Sequence, residues 1–312
     1  MKKFIFLVAA AIAMVSCNNV DEVKTSGVQE NGMINLTASI NSSDEVTRAQ
    51  SGASLQDQLF VVGKDIKVEV YATSASTPYD SGIYTTAAQG ALNAKTTSDR
   101  LFYPANNGNV DLCAYYPSEI SSGSEAFAIE NDQREVEKYQ SSDLMYATKL
   151  TNCASMENNV PITHNLVFNH ALTKIVVNIA AGDGLVASNI TETPGVTEVK
   201  INNTILSATL AIDGGVITAS AANVPAADIN ITGTGDNHVG IIVPQTLNAE
   251  TTFISLKYNN VTYTYALSSQ TNFLAGKQYT YNLTLSARGL VLQSTQITPW
   301  DPQTGGSQGI TI

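Results

Sequence analysis

Residues 253–267, FISLKYNNVTYTYAL, leave the backbone little choice. Apolar and polar residues alternate on both sides of Asn259-Asn260, and a two-residue link of this kind between alternating runs marks a hairpin. Asparagine tolerates the left-handed backbone that such turns need. Pairing about the turn sets Tyr258 opposite Val261, Leu256 opposite Tyr263, and Ile254 opposite Tyr265. All six fall on one face, as a correct register demands. The same period of two recurs in YTYNLTLS (279–286), with Tyr279, Tyr281, Leu283 and Leu285 inward.

The rest of the chain has the same character. IKVEVYA (66–72) sets Ile66, Val68 and Val70 against Lys67, Glu69 and Tyr71. RLFYP (100–104) and NVDLCAYYP (109–117) flank an Asn106-Asn107-Gly108 turn and are expected to pair as a hairpin. DLMYATKL (143–150), VPITHNLVF (160–168), LTKIVVNI (172–179), HVGIIVP (238–244) and LVLQSTQI (290–297) are further strands. VTEVKINN (196–203) and TILSATLAI (204–212) are expected to join through Asn202-Asn203, and 213–228 reads as loop. After the amino-terminal apolar run, no stretch of a dozen residues sustains a 3.6-residue period. Many short strands with turn signals every ten residues or so predict an all-β sandwich protein. The 312 residues exceed what one hydrophobic core usually spans, so two sandwiches in tandem are expected, 49–168 and 169–312.

The amino-terminal region is organised differently. Lys2 and Lys3 precede an apolar run, Phe4 to Val15, too short to span a bilayer comfortably. Small Ser16 then precedes Cys17, which reads as a bacterial lipoprotein signal over 1–16 with a diacylglyceryl group on Cys17; an ordinary secretory signal is the alternative. Asn18 to Gln29 is a polar tether. MINLTASI then alternates, with Ile34, Leu36, Ala38 and Ile40 pointing one way and Asn35, Thr37 and Ser39 the other, the mark of a half-buried strand. A polar run follows, and in it Arg48 offers a basic residue to a trypsin-like protease.

Chemistry is sparse. Asp+Glu 27 against Lys+Arg 16 gives a net charge of −11, so nucleic acid is not an expected partner, because phosphate neutralisation needs a basic face. Cys113 and Cys153 lie forty residues apart without a CxxC, and read either as buried thiols or as a disulfide. His164 and His170 would sit roughly 20 Å apart along a strand, too far to share a metal. No HExxH, GxSxG, P-loop or GxGxxG occurs, so neither an enzyme nor a cofactor or metal site is expected, although a carboxylate pair assembled from distant strands stays open. Tyr258, Tyr263, Tyr265, Tyr279 and Tyr281 read as core residues or as a carbohydrate platform, and Trp300 as a plug under a sheet edge.

Several segments, in this order, resemble the fimbrillin family, the pilin subunits of type V pili of Gram-negative anaerobes. They are the start at Cys17, Thr47-Arg48, RLFYPANNGNVDLCAYYP (100–117), DLMYAT (143–148), ITHNLVFNHALTKIVVNI (162–179) and LAGKQYTYNLTLSARGLVLQSTQITPW (274–300). The resemblance implies two transthyretin-like β-sandwich domains and an outer-membrane lipoprotein precursor that becomes part of a cell-surface fimbrium. It implies cleavage between Arg48 and Ala49 by a trypsin-like, arginine-specific surface protease, leaving residues 17–48 as a removable propeptide. The strand carrying Ile34, Leu36, Ala38 and Ile40 would be displaced, and a C-terminal strand of another pilin subunit would fill the groove in a head-to-tail polymer. Candidate donors are Leu290, Leu292 and Ile297, or Ile310 and Ile312. Only twelve residues follow Trp300, several of them glycine, which departs from an apolar donor and leaves open a lipid-anchored tip subunit or adhesin that binds a glycan or host protein.

Overall fold

The computed structural model of the chain describes residues 32–41, 60–192 and 195–300. The first sheet contains β1 (Asn35–Ile40), β2 (Asp65–Ala72), β3 (Asp80–Thr86), the short strand Leu92–Ala94, β4 (Val110–Tyr116), β5 (Met145–Cys153) and β6 (Thr163–His170). Their spatial order is β1-β6-β5-β4-β2-β3-(92–94). The run VDLCAYY of β4 has no polar face, and all seven of its residues are buried. Such a strand needs cover on both sides. Val110, Leu112, Ala114 and Tyr116 join Ile66, Val68, Val70 and Phe168 in one core, while Cys113 and Tyr115 point into another.

That second core belongs to the remainder of the chain. Its strands are β7 (Thr173–Ala181), β8 (Val196–Thr204), β9 (Ser207–Asp213), β10 (Val216–Ala221), β11 (Asn237–Ile242), β12 (Thr252–Tyr258), β13 (Val261–Ala266), β14 (Lys277–Ser286) and β15 (Gly289–Pro299). One sheet runs (232–234)-β11-β7-β14-β15 and a second runs (227–230)-β8-β12-β13. Ile175, Val177, Tyr279, Tyr281 and Leu283 of the first face Ile201, Ile254 and Leu256 of the second in a shared core. The only α-helical segments among the described residues are short, Val136–Ser141 and Ala187–Thr191, and none is long and apolar enough to cross a membrane.

The β9–β10 hairpin connects the two cores. Its apolar residues Ala208, Leu210, Ile217 and Ala219 lie in the second core together with Cys113 and Tyr115 from the back of the first sheet. At its tip Gly214 and Gly215 take φ of 56° and 82°, the left-handed values of a tight hairpin turn. A Cβ on Gly215 would lie 2.7 Å from Cys113 Sγ, and the Gly214 carbonyl accepts from the Lys149 amide at 3.3 Å. All the described residues belong to one compact unit.

The expected hairpin about Asn259-Asn260 is present with the register read from the sequence, Tyr258↔Val261, Leu256↔Tyr263 and Ile254↔Tyr265. Burial fades toward its tip, where Val261 is exposed. Tyr279, Tyr281, Leu283 and Leu285 are all buried, as their alternation implies. Three local expectations fail. Residues 100–104 do not pair with β4; Phe102 instead bridges Met33. β8 and β9 follow one another in sequence yet lie in different sheets, because β8 continues to Thr204 and Ile205-Leu206 carries the chain across. The segment 213–228 is not a plain loop, since Gly214-Gly215 closes a hairpin there.

Candidate assembly site

β1 alternates as its sequence does. Ile34, Leu36, Ala38 and Ile40 are 2–5% exposed and belong to the first core, while Asn35, Thr37 and Ser39 are half-buried on the outer face. The strand runs parallel to β6 in unbroken register from Asn35↔Thr163 to Ile40↔Phe168. Outward side chains add a polar ladder. Thr37 Oγ1 donates to Asn165 Oδ1 at 3.2 Å, Asn165 Nδ2 to Ser39 Oγ at 3.0 Å, and Asn41 Nδ2 to Asn169 Oδ1 at 2.8 Å.

The other edge of β1 is engaged too. The Ile34 amide donates to the Leu101 carbonyl at 2.9 Å, the Tyr103 amide donates to the Gly32 carbonyl at 2.8 Å, and Thr37 bridges Ala91. β1 and Leu92–Ala94 stand at opposite ends of the sheet order, so these contacts draw the sheet closed around its core. Gly90, with φ of 76°, allows this: a Cβ there would run into the Ala38 carbonyl oxygen. Burying the three large side chains of β1 stabilises the closed sheet by roughly 5–9 kcal/mol, at about 1.5–3 kcal/mol each. Removing β1 would expose that apolar stripe and leave an unpaired edge on β6.

Beneath β1, His164 lies abreast of Leu36. Its Nε2 is 2.7 Å from Tyr103 Oη and 3.1 Å from the Ala154 carbonyl, and burial holds its pKa below the usual histidine value. His170 Nδ1 pairs with Asp143 Oδ1 at 2.9 Å, and its ring stacks on Trp300. Among the described residues no group of three or more His, Cys, Asp or Glu has the geometry to hold a metal ion. Cys113 and Cys153 lie in different cores on opposite sides of the sheet, both free. Burial pushes each thiol up to about 11.

The other sequence-derived candidates divide into two groups. Leu290, Leu292 and Ile297 lie in β15, an edge strand paired along its length to β14, with Leu290 buried and the other two half-buried. Cys17, Arg48, Ala49, Ile310 and Ile312 fall outside the described residues. Tyr265, Tyr279 and Tyr281 are committed to the second core and cannot serve an exposed carbohydrate platform; Tyr258 and Tyr263 pack against its margin. Two contributors to the β1 seat went unread in the sequence. Gly90 sits in an AAQGAL segment that reads as a generic loop, and Phe60, which packs edge-on against Phe168 at 4.7 Å, lies in the apolar run LFVV (59–62), too short to show a period.

Comparison with known proteins gives this all-β chain its class. The family model described as fimbrillin-like matches residues 47–300. The chain therefore belongs to the fimbrillin-like family, and membership carries the broad function of a fimbrial subunit at the cell surface. A candidate cell adhesion protein from Bacteroides uniformis superposes with a TM-score of 0.63 at 22% identity, covering 87% of this chain and 99% of that one. One from Bacteroides ovatus gives 0.65 at 18% identity, with 86% and 97% covered. The tip fimbrial protein Mfa3 from Porphyromonas gingivalis, with a C-terminal truncation, gives 0.52 at 10% identity, with 86% and 100% covered. At these identities the likeness is one of fold. A search of curated proteins found no match to the sequence.

Proposed function

We propose that this chain is a structural subunit of a type V fimbria that polymerises by donor-strand exchange. Residues 1–16 serve as a lipoprotein signal, and a lipid on Cys17 holds the precursor on the outer membrane. Residues 17–48 form the tether and removable first strand. A trypsin-like, arginine-specific surface protease cuts between Arg48 and Ala49. Two transthyretin-like domains, 49–168 and 169–312, make up the processed subunit. A C-terminal strand from another pilin subunit then takes the place of β1. This chain's own donor candidates are Leu290, Leu292 and Ile297, or Ile310 and Ile312.

The observation that carries this reading is the position of β1. It completes the first core from the edge of the sheet, yet it lies outside the family match, which begins at residue 47, one residue before Arg48. β1 pairs along the edge of β6, and an extended segment from another chain can add to a sheet edge in the same way. The test is the amino-terminal residue of the protein in fimbriae sheared from cells, together with its migration on unboiled gels. Ala49 at the terminus and ladders containing this chain are expected. A surface population that still begins at Cys17 and runs as monomer would sink the reading.

A second reading, a lipid-anchored tip subunit or adhesin for a glycan or host protein, draws on the glycine-rich tail and on the exposed Tyr79 and Phe102 near the entry to β1. It predicts saturable ligand capture by the uncut protein, weakened by Tyr79→Ala.

A further inference from the structure

We propose that a cleft on the outer face of the second half binds an uncharged sugar. The site deepens the adhesin reading above and rests on its premise that the subunit holds a glycan. It does not depend on strand exchange.

The cleft lies where the loop after β7 and the short helix Ala187–Thr191 stand beside the sheet face formed by β11, β7 and β14. Its volume is about 800 Å³, within the roughly 300–1,000 Å³ of clefts that take small ligands. Across its floor runs a row of side chains set opposite one another in register on four neighbouring strands: Asn237, Asn178, Asn282 and Ser294. Asn237 Nδ2 donates to Asn178 Oδ1 at 2.7 Å, Asn178 Nδ2 to Asn282 Oδ1 at 2.8 Å, and Asn282 Nδ2 to Ser294 Oγ at 2.9 Å. Asparagine is depleted in strands, so strand formation alone does not select three abreast. All three bonds run in one sense, which fixes the orientation of the amides and polarises the row. The row uses one N–H and one lone pair of Asn178 and of Asn282, and a carboxamide carries a second of each. Each amide can therefore donate to one ligand hydroxyl and accept from its neighbour, as the adjacent hydroxyls of a sugar require.

The wall of the cleft is apolar and preformed. Leu185, Val186 and Ala187 line it, and Val186 is 62% exposed. Backbone bonds hold this wall in place. The Gly182 amide donates to the Leu285 carbonyl at 2.7 Å, the Leu185 amide to the Gly182 carbonyl at 3.0 Å, and the Val186 amide to Asn189 Oδ1 at 2.8 Å. Ile190 anchors the helix in the second core. A Cβ on Gly182 would lie 2.5 Å from Thr284 Cγ2, so the loop approaches β14 closely enough to require glycine there. A wall already in place lowers the ordering cost of binding. An amide floor beside an apolar wall matches a pyranose, which carries hydroxyls around its rim and C–H groups on its faces.

Charge narrows the class of sugar. Among the described residues lining the cleft, Asp236 carries the only formal charge, and the Ile179 amide fixes it beside the row by donating to its carbonyl at 2.8 Å. An acidic sugar would meet that carboxylate with no lining cation to pair with, in a chain of net charge −11. Desolvating an unpaired ion costs far more than burying a hydroxyl that finds a partner.

The test offers the full chain the methyl glycosides of glucose, galactose, mannose and N-acetylglucosamine, with methyl glucuronide as the acidic counterpart. Each is presented free in solution and coupled to albumin, and protein-observed NMR follows the amides of 178–191 and 280–284. At least one neutral glycoside is expected to shift these resonances, and the glucuronide is not. Binding of the free form supports a site for the sugar itself, and binding of the coupled form alone supports a site for sugars borne on a glycan. Asn282→Ala is expected to weaken binding about tenfold or more, the loss of a buried hydrogen-bonding partner. Because breaking the row could loosen the sheet, Val186→Asp at the exposed rim is the second variant; it should weaken binding with an unchanged melting temperature. Glucuronide bound as tightly as the neutral sugars, or binding unchanged in both variants, would overturn the proposal. Binding lost only in Tyr79→Ala would overturn this site and leave the adhesin reading standing. No binding of any neutral glycoside in either form would overturn the site together with the glycan form of that reading.

Discussion

Trp300 lies flat on His170, with ring centroids 4.0 Å apart and planes 1° from parallel. His170 closes β6 in the first sheet and Trp300 directly follows β15 in the second half, so one stacked pair fastens the end of β15 to the point where the chain leaves the first sheet. Around them the Trp300 amide donates to the Gly276 carbonyl at 2.9 Å, and the His170 ring is fixed by Asp143. Trp300 is 2% exposed.

Truncating this indole empties a large, well-packed site. Trp300→Ala is expected to destabilise the protein by about 3–5 kcal/mol. Trp300→Phe, which retains a ring to stack on His170, should lose clearly less. Urea denaturation of both variants measures the difference. A Trp300→Ala protein as stable as the parent would mean that the stack fastens nothing.

Gly90 tests the seat of β1 separately. Its φ of 76° and the adjacent Ala38 carbonyl exclude a side chain. Gly90→Ala should destabilise by about 1–3 kcal/mol through backbone strain and crowding. Amide exchange in 35–40 should accelerate, with β12 and β14 little changed. Uniform acceleration across the chain would show that β1 does not open as a local unit.

The cysteines yield a chemical prediction. Both thiols are buried, and burial raises each to about 11, so the reactive thiolate is scarce at pH 8. Native protein should resist iodoacetamide at that pH, whereas unfolded protein should take up two labels in the described region. A Cys113–Cys153 disulfide in native protein, detected by mass spectrometry, would contradict their placement on opposite sides of the first sheet.

His164 confers a pH dependence whose sign is set by burial. Its folded pKa lies below the unfolded value of about 6.5, so between the two the unfolded chain binds the extra proton. The stabilising effect of the neutral ring is complete above the unfolded value and is lost as pH falls below it toward the folded one. Buried His238, whose Nε2–H donates to the Gly235 carbonyl at 3.1 Å, shifts the same way for the same reason. Stability should therefore decline from pH 7 to pH 5, and His164→Gln should reduce the slope by up to one proton. An unchanged slope in that variant would remove His164 as a contributor.

The elements that the sequence revealed are those whose side chains alternate over a long run or flank a tight turn. The register about Asn259-Asn260 and the inward face of 279–286 follow from the period of two. The β9–β10 hairpin was overlooked although Gly214-Gly215 carries its signal, because the following residues, VITASA, have little bulk to mark a strand. The failed pairing of 100–104 has a different cause: Asn107 does adopt a left-handed backbone, but the chain ahead of it is taken up by Met33 instead of β4.

For the candidate assembly site the division is similar. The sequence by itself determined that residues 34–40 form a strand with one apolar face, because alternation is a local property that any backbone of that period must display. It did not determine that this strand lies parallel to β6, that Ala38 is abreast of Leu166, or that Gly90 and Leu101 close over its other edge. Those are contacts between residues as much as 128 positions apart, such as Thr37 and Asn165. Hydrophobic burial is non-directional. An apolar face specifies only that it be covered, and which residues cover it is decided by the packing of the whole chain.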